Sequence, residues 1–571
     1  MVLHHDMVGY ADSRALPHGA GFDDAEAFLR GQSALGLQTW NSVRALDLLA
    51  SLPEVDATRI GVTGGSGGGT QTFLLCAVDP RPAVSVPCVM VSTTMQGGCV
   101  CENAPHLRIG AGNVELAALA APRPLGLTAA NDWTVAIEER GLPELRRLYG
   151  MLGVDERLEA WVHPQFGHNY NAVSRADVYA FLDRHLGLGA GLDEHPLRSA
   201  ALEERFEPLP PARLSIAATA ASAQSSSEGA LSAQAISPPG LQEVRRAWTE
   251  QQESRLVGLL PRDAGGLRRW REVMGGALEV LVPARLPEAA PEVEVVAEVV
   301  VEVVAEPEVA DLPAAPRSAG ARGSAGAPRS AGVPGSATVE VLHTPDARVR
   351  IARWDPATSD GSASPDGPRQ APRGVLLLAG CGPLGDLCPP VGRPALESGL
   401  AVVQVEVLLE GEDGILPVDG GRHGKYPGYT WCYNETLAAQ RLRDLLVAAR
   451  RARDLVPAGA PLRLHGDGWA GPAALLAAGR APGTFERVSV GWDWNLSELA
   501  EAGDRSDPRL LPGALAFGGI AGLGSLHAPG LLMVVGDELP PLLESVWSAA
   551  GARDALSLGT STAAAAAWLG S

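Results

Sequence analysis

Short β-branched or apolar runs alternate with longer amphipathic stretches through residues 1–188. Strand patterns fall at Val2–His5, Arg59–Thr63, Ser85–Ser92, Pro124–Ala129 and Leu158–His163. Helical patterns lie between them at Leu37–Ser51, Thr70–Ala77, Glu138–Gly153 and Arg175–Leu186. Strands separated by helical crossovers predict a parallel α/β sheet. The pattern returns over 338–571, with strands at Gly374–Ala379, Leu400–Val407, Leu462–His465, Val488–Val490 and Gly530–Val535 and a strong helix at Thr436–Leu455.

The intervening chain reads differently. Residues 189–240 are rich in Ala, Ser and Pro, and Leu241–Val282 recovers a helical period as two helices broken near Pro261. An acidic Val/Glu tract (286–311) and a Ser-Ala-Gly-Pro tract (312–337) follow. Both read as linker, because neither buries enough apolar surface to offset chain entropy; the Val/Glu alternation also fits an edge strand. The expected organisation is an α/β domain over 1–190, a linker and helical connector over 191–285, a low-complexity linker over 286–337 and a second α/β domain over 338–571.

Charge and composition narrow the function. A net charge of −20 argues against nucleic acid, since no basic stripe is present to release counterions. No window reads as a membrane span, the longest apolar tract being interrupted by Glu294, Glu298 and Glu302. The stretch Met1-Val-Leu-His-His-Asp6 lacks the basic and apolar regions of a signal peptide. Seven cysteines in 571 residues do not form a disulfide framework. Cys99-Val-Cys101 is too close for a thioredoxin-type pair, and no second pair lies at zinc-ligand spacing. Neither metal nor cofactor is expected.

The chemistry concentrates where Arg59-Ile-Gly-Val-Thr63 runs into Gly64-Gly-Ser-Gly-Gly68 and then into a helix. A strand, a G-x-S-x-G turn and a helix make a nucleophile elbow, in which strained backbone projects the serine hydroxyl above a sheet. Glycines such as Gly64 and Gly68 flank it where strand and helix pass too close for side chains. A phosphate loop of the same composition needs a Lys that is absent here.

Partners for Ser66 follow in the order Ser, acid, His, each after a strand pattern, as in α/β-hydrolases. Pro124–Ala129 ends in Asn131-Asp132-Trp133-Thr134, and Leu158–His163 leads to Gln165-Phe-Gly-His168-Asn-Tyr170. His168 would take the serine proton while Asp132 orients the imidazole and stabilises its charged form. The Gly67 N–H would donate to the oxyanion, a contribution of about 3 kcal/mol by analogy with other such donors. His163 competes with His168 as base, and Glu102 with Asp132 as acid. Glu102 also reads as a pocket or capping residue, and Trp133 as a supporting or substrate-facing one.

Four segments, Gly61-Val-Thr-Gly-Gly-Ser-Gly-Gly-Gly-Thr-Gln-Thr72, Gln96-Gly-Gly-Cys-Val-Cys-Glu-Asn103, Ala130-Asn-Asp-Trp-Thr134 and Phe166-Gly-His-Asn-Tyr170, resemble the acetyl xylan esterase-like branch of the bacterial α/β-hydrolases, related to dienelactone hydrolases. The resemblance covers residues 1–190. It implies a serine carboxylesterase acting on small-molecule or carbohydrate esters, with Ser66, Asp132 and His168 on the triad positions. In that fold the second oxyanion donor comes from a loop upstream of the equivalent of Val2–His5. The expectation is therefore an N-terminally truncated copy with an exposed sheet edge. A prolyl-oligopeptidase-type peptidase and a catalytically dead binding protein are the other readings.

The second α/β region echoes the first but lacks its chemistry. Arg441-Leu-Arg-Asp-Leu-Leu446 mirrors Arg44-Ala-Leu-Asp-Leu-Leu49, and Gly468 stands where Ser66 would be. Asp537 mimics the acid position, yet no histidine follows it. This predicts a degenerate hydrolase-like domain. A dinucleotide fingerprint is the competitor, with Gly466-x-Gly468-x-x-Gly471 opening a helix and Asp493 after the next strand.

Overall fold

The computed structural model describes residues 1–19, 21–192, 207, 209–215, 240–301, 335–356, 371–381, 384, 387, 390–408, 428–468, 470–492, 496–503, 507 and 509–571. Its contacts divide the chain into two compact units. One comprises 1–254 with 418–435 and 499–506, the other 255–417 with 436–498 and 507–571.

The first unit holds a four-stranded, all-parallel sheet of β1 (Gly61–Gly65), β2 (Val84–Cys88), β3 (Leu125–Ala130) and β4 (Leu158–His163), in spatial order β1-β2-β3-β4. Helices Gly67–Val78, Leu142–Met151 and Ala172–Leu186 lie between or after the strands. Every residue of β2 and β3 is buried, as expected of parallel strands covered on both faces. One core cluster joins Phe73, Met90, Leu125, Leu127, Leu145 and Tyr149. A smaller one joins Val84, Val86, Val178 and Phe181.

The N-terminal run differs from the expectation. Val2–His5 is not a strand: residues 1–6 have no regular structure, Met1 and Val2 face solvent, and β1 is the edge of the sheet. An isolated apolar run with no strand to pair gains nothing from extension.

Two segments distant in sequence complete this unit. Arg245 pairs with Asp24 at 2.5 Å, and Gln32 donates to Thr249 Oγ1 at 3.0 Å. Trp431 meets Phe28 edge to face, and the backbone N–H groups of His106 and Arg108 donate to the carbonyls of Trp431 and Cys432, each at 2.8 Å. The Arg108 guanidinium, buried, donates to Asn113 Oδ1, Glu102 O, Asn103 Oδ1 and Cys432 Sγ. One cation thus ties the Glu102–Asn113 loop to residues 431–432.

The second unit carries a nine-stranded sheet. Its strands are β5 (Glu292–Val301), β6 (Gly335–His343), β7 (Arg348–Trp354), β8 (Val375–Ala379), β9 (Ala401–Glu406), β10 (Leu462–Gly466), β11 (Arg487–Gly491), β12 (Leu531–Val535) and β13 (Leu556–Gly559), in the order β13-β12-β11-β10-β8-β9-β7-β6-β5. The six strands from β13 to β9 run parallel, and β7, β6 and β5 continue antiparallel. The Val/Glu tract read as linker is here an edge strand: β5 pairs with β6, which itself begins inside the Ser-Ala-Gly-Pro tract. Pairing with a neighbour satisfies backbone groups that composition alone assigned to solvent. Residues 302–334 lie outside the described residues.

Both units repeat one sequence of elements. In the first, β1 leads to helix Gly67–Val78, then β2, and later β3, helix Leu142–Met151, β4 and helix Ala172–Leu186. In the second, β10 leads to helix Ala470–Arg480, then β11, β12, helix Pro541–Ala549, β13 and helix Thr562–Gly570. The turns match in detail. A Cβ on Gly64 would fall 2.6 Å from Gly68 O, and one on Gly466 would strike Ala470 O. Gly69 packs on Cys88 O just as Gly471 packs on Gly491 O. Ser66 has φ +58°, and Gly468 φ +48°. Asp493, the acid of the dinucleotide reading, lies outside the described residues.

Candidate active site

Ser66 sits between β1 and its helix with φ +58° and ψ −122°, a region that side-chain-bearing residues avoid. The surroundings hold it there. Ser66 N donates to Cys88 O at the end of β2 (3.0 Å), and Ser66 O accepts from Thr70 N in the first helical turn (3.0 Å). Gly64 and Gly69 leave no room for a Cβ, which explains the glycines on either side. The strained elbow at the carboxyl end of a parallel strand, with helices between the strands, is that of an α/β-hydrolase.

Asp132 follows the end of β3, and its side chain is 5% exposed. Its Oδ1 accepts from Thr134 N (2.7 Å) and Thr134 Oγ1 (2.6 Å), which fixes the carboxylate rotamer. Oδ2 then faces His168 Nδ1 at 2.7 Å. Asn131 N donates to Phe166 O at 2.8 Å, clamping the loop after β3 to the loop after β4. The Trp133 ring packs on the His168 imidazole with centroids 4.5 Å apart. Ser92 Oγ in turn donates to Trp133 O at 2.6 Å.

The structure therefore brings Asp132 and His168 into direct contact and packs the Trp133 ring against the imidazole. The end of β1 meets the loop that carries His168: a Cβ on Gly65 would lie 3.1 Å from Tyr170 Cβ, and Tyr170 OH meets Thr63 Oγ1 at 2.9 Å. Among the described residues no hydrogen bond joins Ser66 Oγ to His168. Such bonds are commonly loose before substrate binds. Among these groups, burial pushes the Tyr170 hydroxyl up, so it stays protonated and hydrogen-bonded.

The competing candidates are engaged elsewhere. His163 Nε2 pairs with Asp177 Oδ2 at 2.7 Å. Burial raises the Asp177 carboxyl, with the His163 hydrogen bond opposing it. Glu102 is buried, and its Oε2 accepts from Gly98 N (2.7 Å) and Cys99 N (2.9 Å). Its other oxygen lies 3.3 Å from where a Gly67 Cβ would be, so Glu102 stands against Gly67. Gly68 has open space around it, unlike Gly64. The residues that sequence spacing did not join to this region are His18, which reaches Cys99 from 81 positions upstream, and Tyr429, whose hydroxyl lies 3.4 Å from Gly98 O.

No protein-family model matches the chain. The chain is similar to the Bacillus subtilis (strain 168) protein called "Putative hydrolase YtaP", at 29% identity over 196 residues, which are 32% of this chain and 64% of that protein. It thus spans just under two thirds of that relative. Among solved structures it is similar to Methylesterase BT1017 (33% identity, 31% of this chain and 40% of that one, TM-score 0.28). It is also similar to a glucuronoyl esterase from Solibacter usitatus (15% identity, 51% of this chain and 82% of that one, TM-score 0.30). No helix among the described residues is long and apolar enough to cross a membrane.

Proposed function

We propose that the chain is a serine carboxylesterase whose substrates are esters, acetylated carbohydrates foremost. The observations that carry this reading are the strained conformation of Ser66 at the end of one parallel strand and the Asp132–His168 pair, at 2.7 Å, on the loops that follow two other strands of the same sheet. In the proposed reaction His168 Nε2 accepts the Ser66 proton as Oγ adds to the ester carbonyl. The Gly67 N–H stabilises the oxyanion, and the alcohol leaves with the proton from His168. Water then attacks the acyl-enzyme through the same base. Similarity to a protein called a hydrolase supports the reaction class; the acetyl and carbohydrate preference rests on the four sequence motifs.

A fluorophosphonate probe tests the nucleophile. Labelling of the full chain that disappears in Ser66→Ala is the expected result, and an unlabelled native chain refutes the enzyme reading. A chromogenic acetyl ester assayed beside an aminoacyl amide separates esterase from peptidase.

We propose likewise that the second unit is a hydrolase-like copy without catalysis. Its support is the turn at Gly468, which keeps the backbone of the elbow and lacks the hydroxyl. No histidine follows Asp537 to complete a triad.

A further inference from the structure

The nitrogen of His18 and the sulfurs of Cys99 and Cys101 lie within 4.8 Å of one another, outside the Asp132–His168 pair. We propose that these three residues bind a zinc ion.

Three features of the cluster point to a ligand set. First, the imidazole is oriented. His18 Nδ1 lies 2.7 Å from Val8 O, and a carbonyl only accepts, so Nδ1 carries the proton and Nε2 presents its lone pair. Metal-binding histidines commonly donate their other ring N–H to a carbonyl or carboxylate in this way. Second, the spacing fits. With Zn–S of about 2.3 Å and Zn–N of about 2.0 Å, tetrahedral geometry puts a sulfur and a nitrogen ligand about 3.5 Å apart. His18 Nε2 lies 3.5 Å from Cys99 Sγ. Third, the frame is fixed before any ion arrives. A Cβ on Gly9, whose φ is +88°, would come 2.5 Å from His18 N, so that loop closes only on glycine. Tyr10 packs edge-on against the imidazole at 4.7 Å. On the other side, Cys99 N donates to Glu102 and Cys99 O accepts from Asn103 Nδ2 at 2.8 Å.

Two thiolates and a neutral imidazole suit Zn²⁺ over harder cations. Binding displaces two thiol protons to solvent and leaves the fourth position for water. The ion would join the Met7–His18 segment to the Gly98–Cys101 segment. Both border the oxyanion turn, since Glu102 Oε1 and Met7 Cε are neighbours of a Cβ built on Gly67. Zinc would thus clamp the two walls beside Gly67. That consequence rests on the esterase reading of Ser66; the binding of zinc does not.

The test uses the full chain, reduced, freed of metal by chelation and titrated with Zn²⁺ against a chromophoric chelator and with Co²⁺ by absorption. One equivalent per chain and a thiolate-to-cobalt charge-transfer band are expected. Cys99→Ser and Cys101→Ser should each abolish the band, and His18→Ala should weaken binding at least 10-fold. Cys381→Ser and Ser66→Ala should bind as the native chain does, so failure of the esterase reading stays distinguishable. Absence of the band in the reduced native chain, or its survival in Cys99→Ser, overturns the proposal. Should the serine variants not fold, zinc must protect Cys99 and Cys101 of the native chain from alkylation, as mapped by mass spectrometry. Unprotected thiols at both positions overturn it equally.

Discussion

Asp132→Asn offers the sharpest test of the proposed mechanism, because the structure dictates which way the new amide must face. Asp132 Oδ1 accepts from both Thr134 N and Thr134 Oγ1, at 2.7 and 2.6 Å. An asparagine has one acceptor oxygen, and two donors claim it. Its NH₂ group is then turned toward His168 Nδ1, where the carboxylate oxygen lay at 2.7 Å. Facing a donor, Nδ1 must accept, so the imidazole proton moves to Nε2. That tautomer cannot take a proton from Ser66. In serine proteases the same change of tautomer lowers turnover by about 10⁴-fold, or roughly 5–6 kcal/mol at 1.36 kcal/mol per decade. Fold stability should change far less, by about 1.5–3 kcal/mol for one charge-assisted hydrogen bond. The assay is initial-rate hydrolysis of a chromogenic acetyl ester, with thermal unfolding measured in parallel. A folded Asp132→Asn enzyme within tenfold of the native rate would refute the assignment of Asp132 and His168.

Other expectations follow from separate parts of the molecule. Gly64→Ala places a methyl 2.6 Å from Gly68 O, so the elbow must open; soluble yield and fluorophosphonate labelling should both collapse. Arg108→Ala strips a buried cation from the side-chain and backbone oxygens of Asn113, Asn103 and Glu102, and should cost about 3 kcal/mol in urea unfolding. Burial pushes the Asp444 carboxyl up to about 6, with the Leu408 N–H bond opposing. The folded state therefore holds the proton more tightly than the unfolded one. The penalty is absent below about pH 4 and complete above about pH 6, reaching some 3 kcal/mol. Asp444→Asn keeps an acceptor for Leu408 N, so its advantage over the native chain should grow across that interval; an advantage independent of pH would contradict this. Ser introduced by Gly468→Ser into the Ser66→Ala background should fold yet remain unlabelled by fluorophosphonate, for want of a base.

What could be read along the chain depended on how local its cause was. The elbow was legible because the clash that demands glycine at position 64 arises from Gly68, four residues away. The strand ends from which Asp132 and His168 come into contact were legible in the patterns just before them, and β4 falls on its expected residues. Other features depend on partners far along the chain. Glu292–Val301 reads as a solvated acidic tract until Gly335–His343 pairs with it, and the shift of register between Val295 and Ala297 leaves no mark in composition. Residues 428–435 sit between two elements of the second α/β pattern, yet Trp431 and Cys432 pack in the first unit against Phe28 and Arg108. The approach of His18 to Cys99 has the same origin: two short loops, each uninformative alone, are juxtaposed by the fold.

The paired turns at Ser66 and Gly468 carry an evolutionary corollary. Both backbones pass through positive φ, at +58° and +48°. A serine held there bears a conformational cost of about 1–3 kcal/mol that glycine does not. Mutation from serine to glycine at such a turn abolishes the nucleophile and relaxes the scaffold in one step. Reversion would have to climb back against stability with no catalytic return until a base also appeared. Loss of activity at this kind of turn is therefore a ratchet. On the reading proposed for the second unit, a chain with two copies of the fold lets one of them slip through it and keeps that copy as the sturdier half.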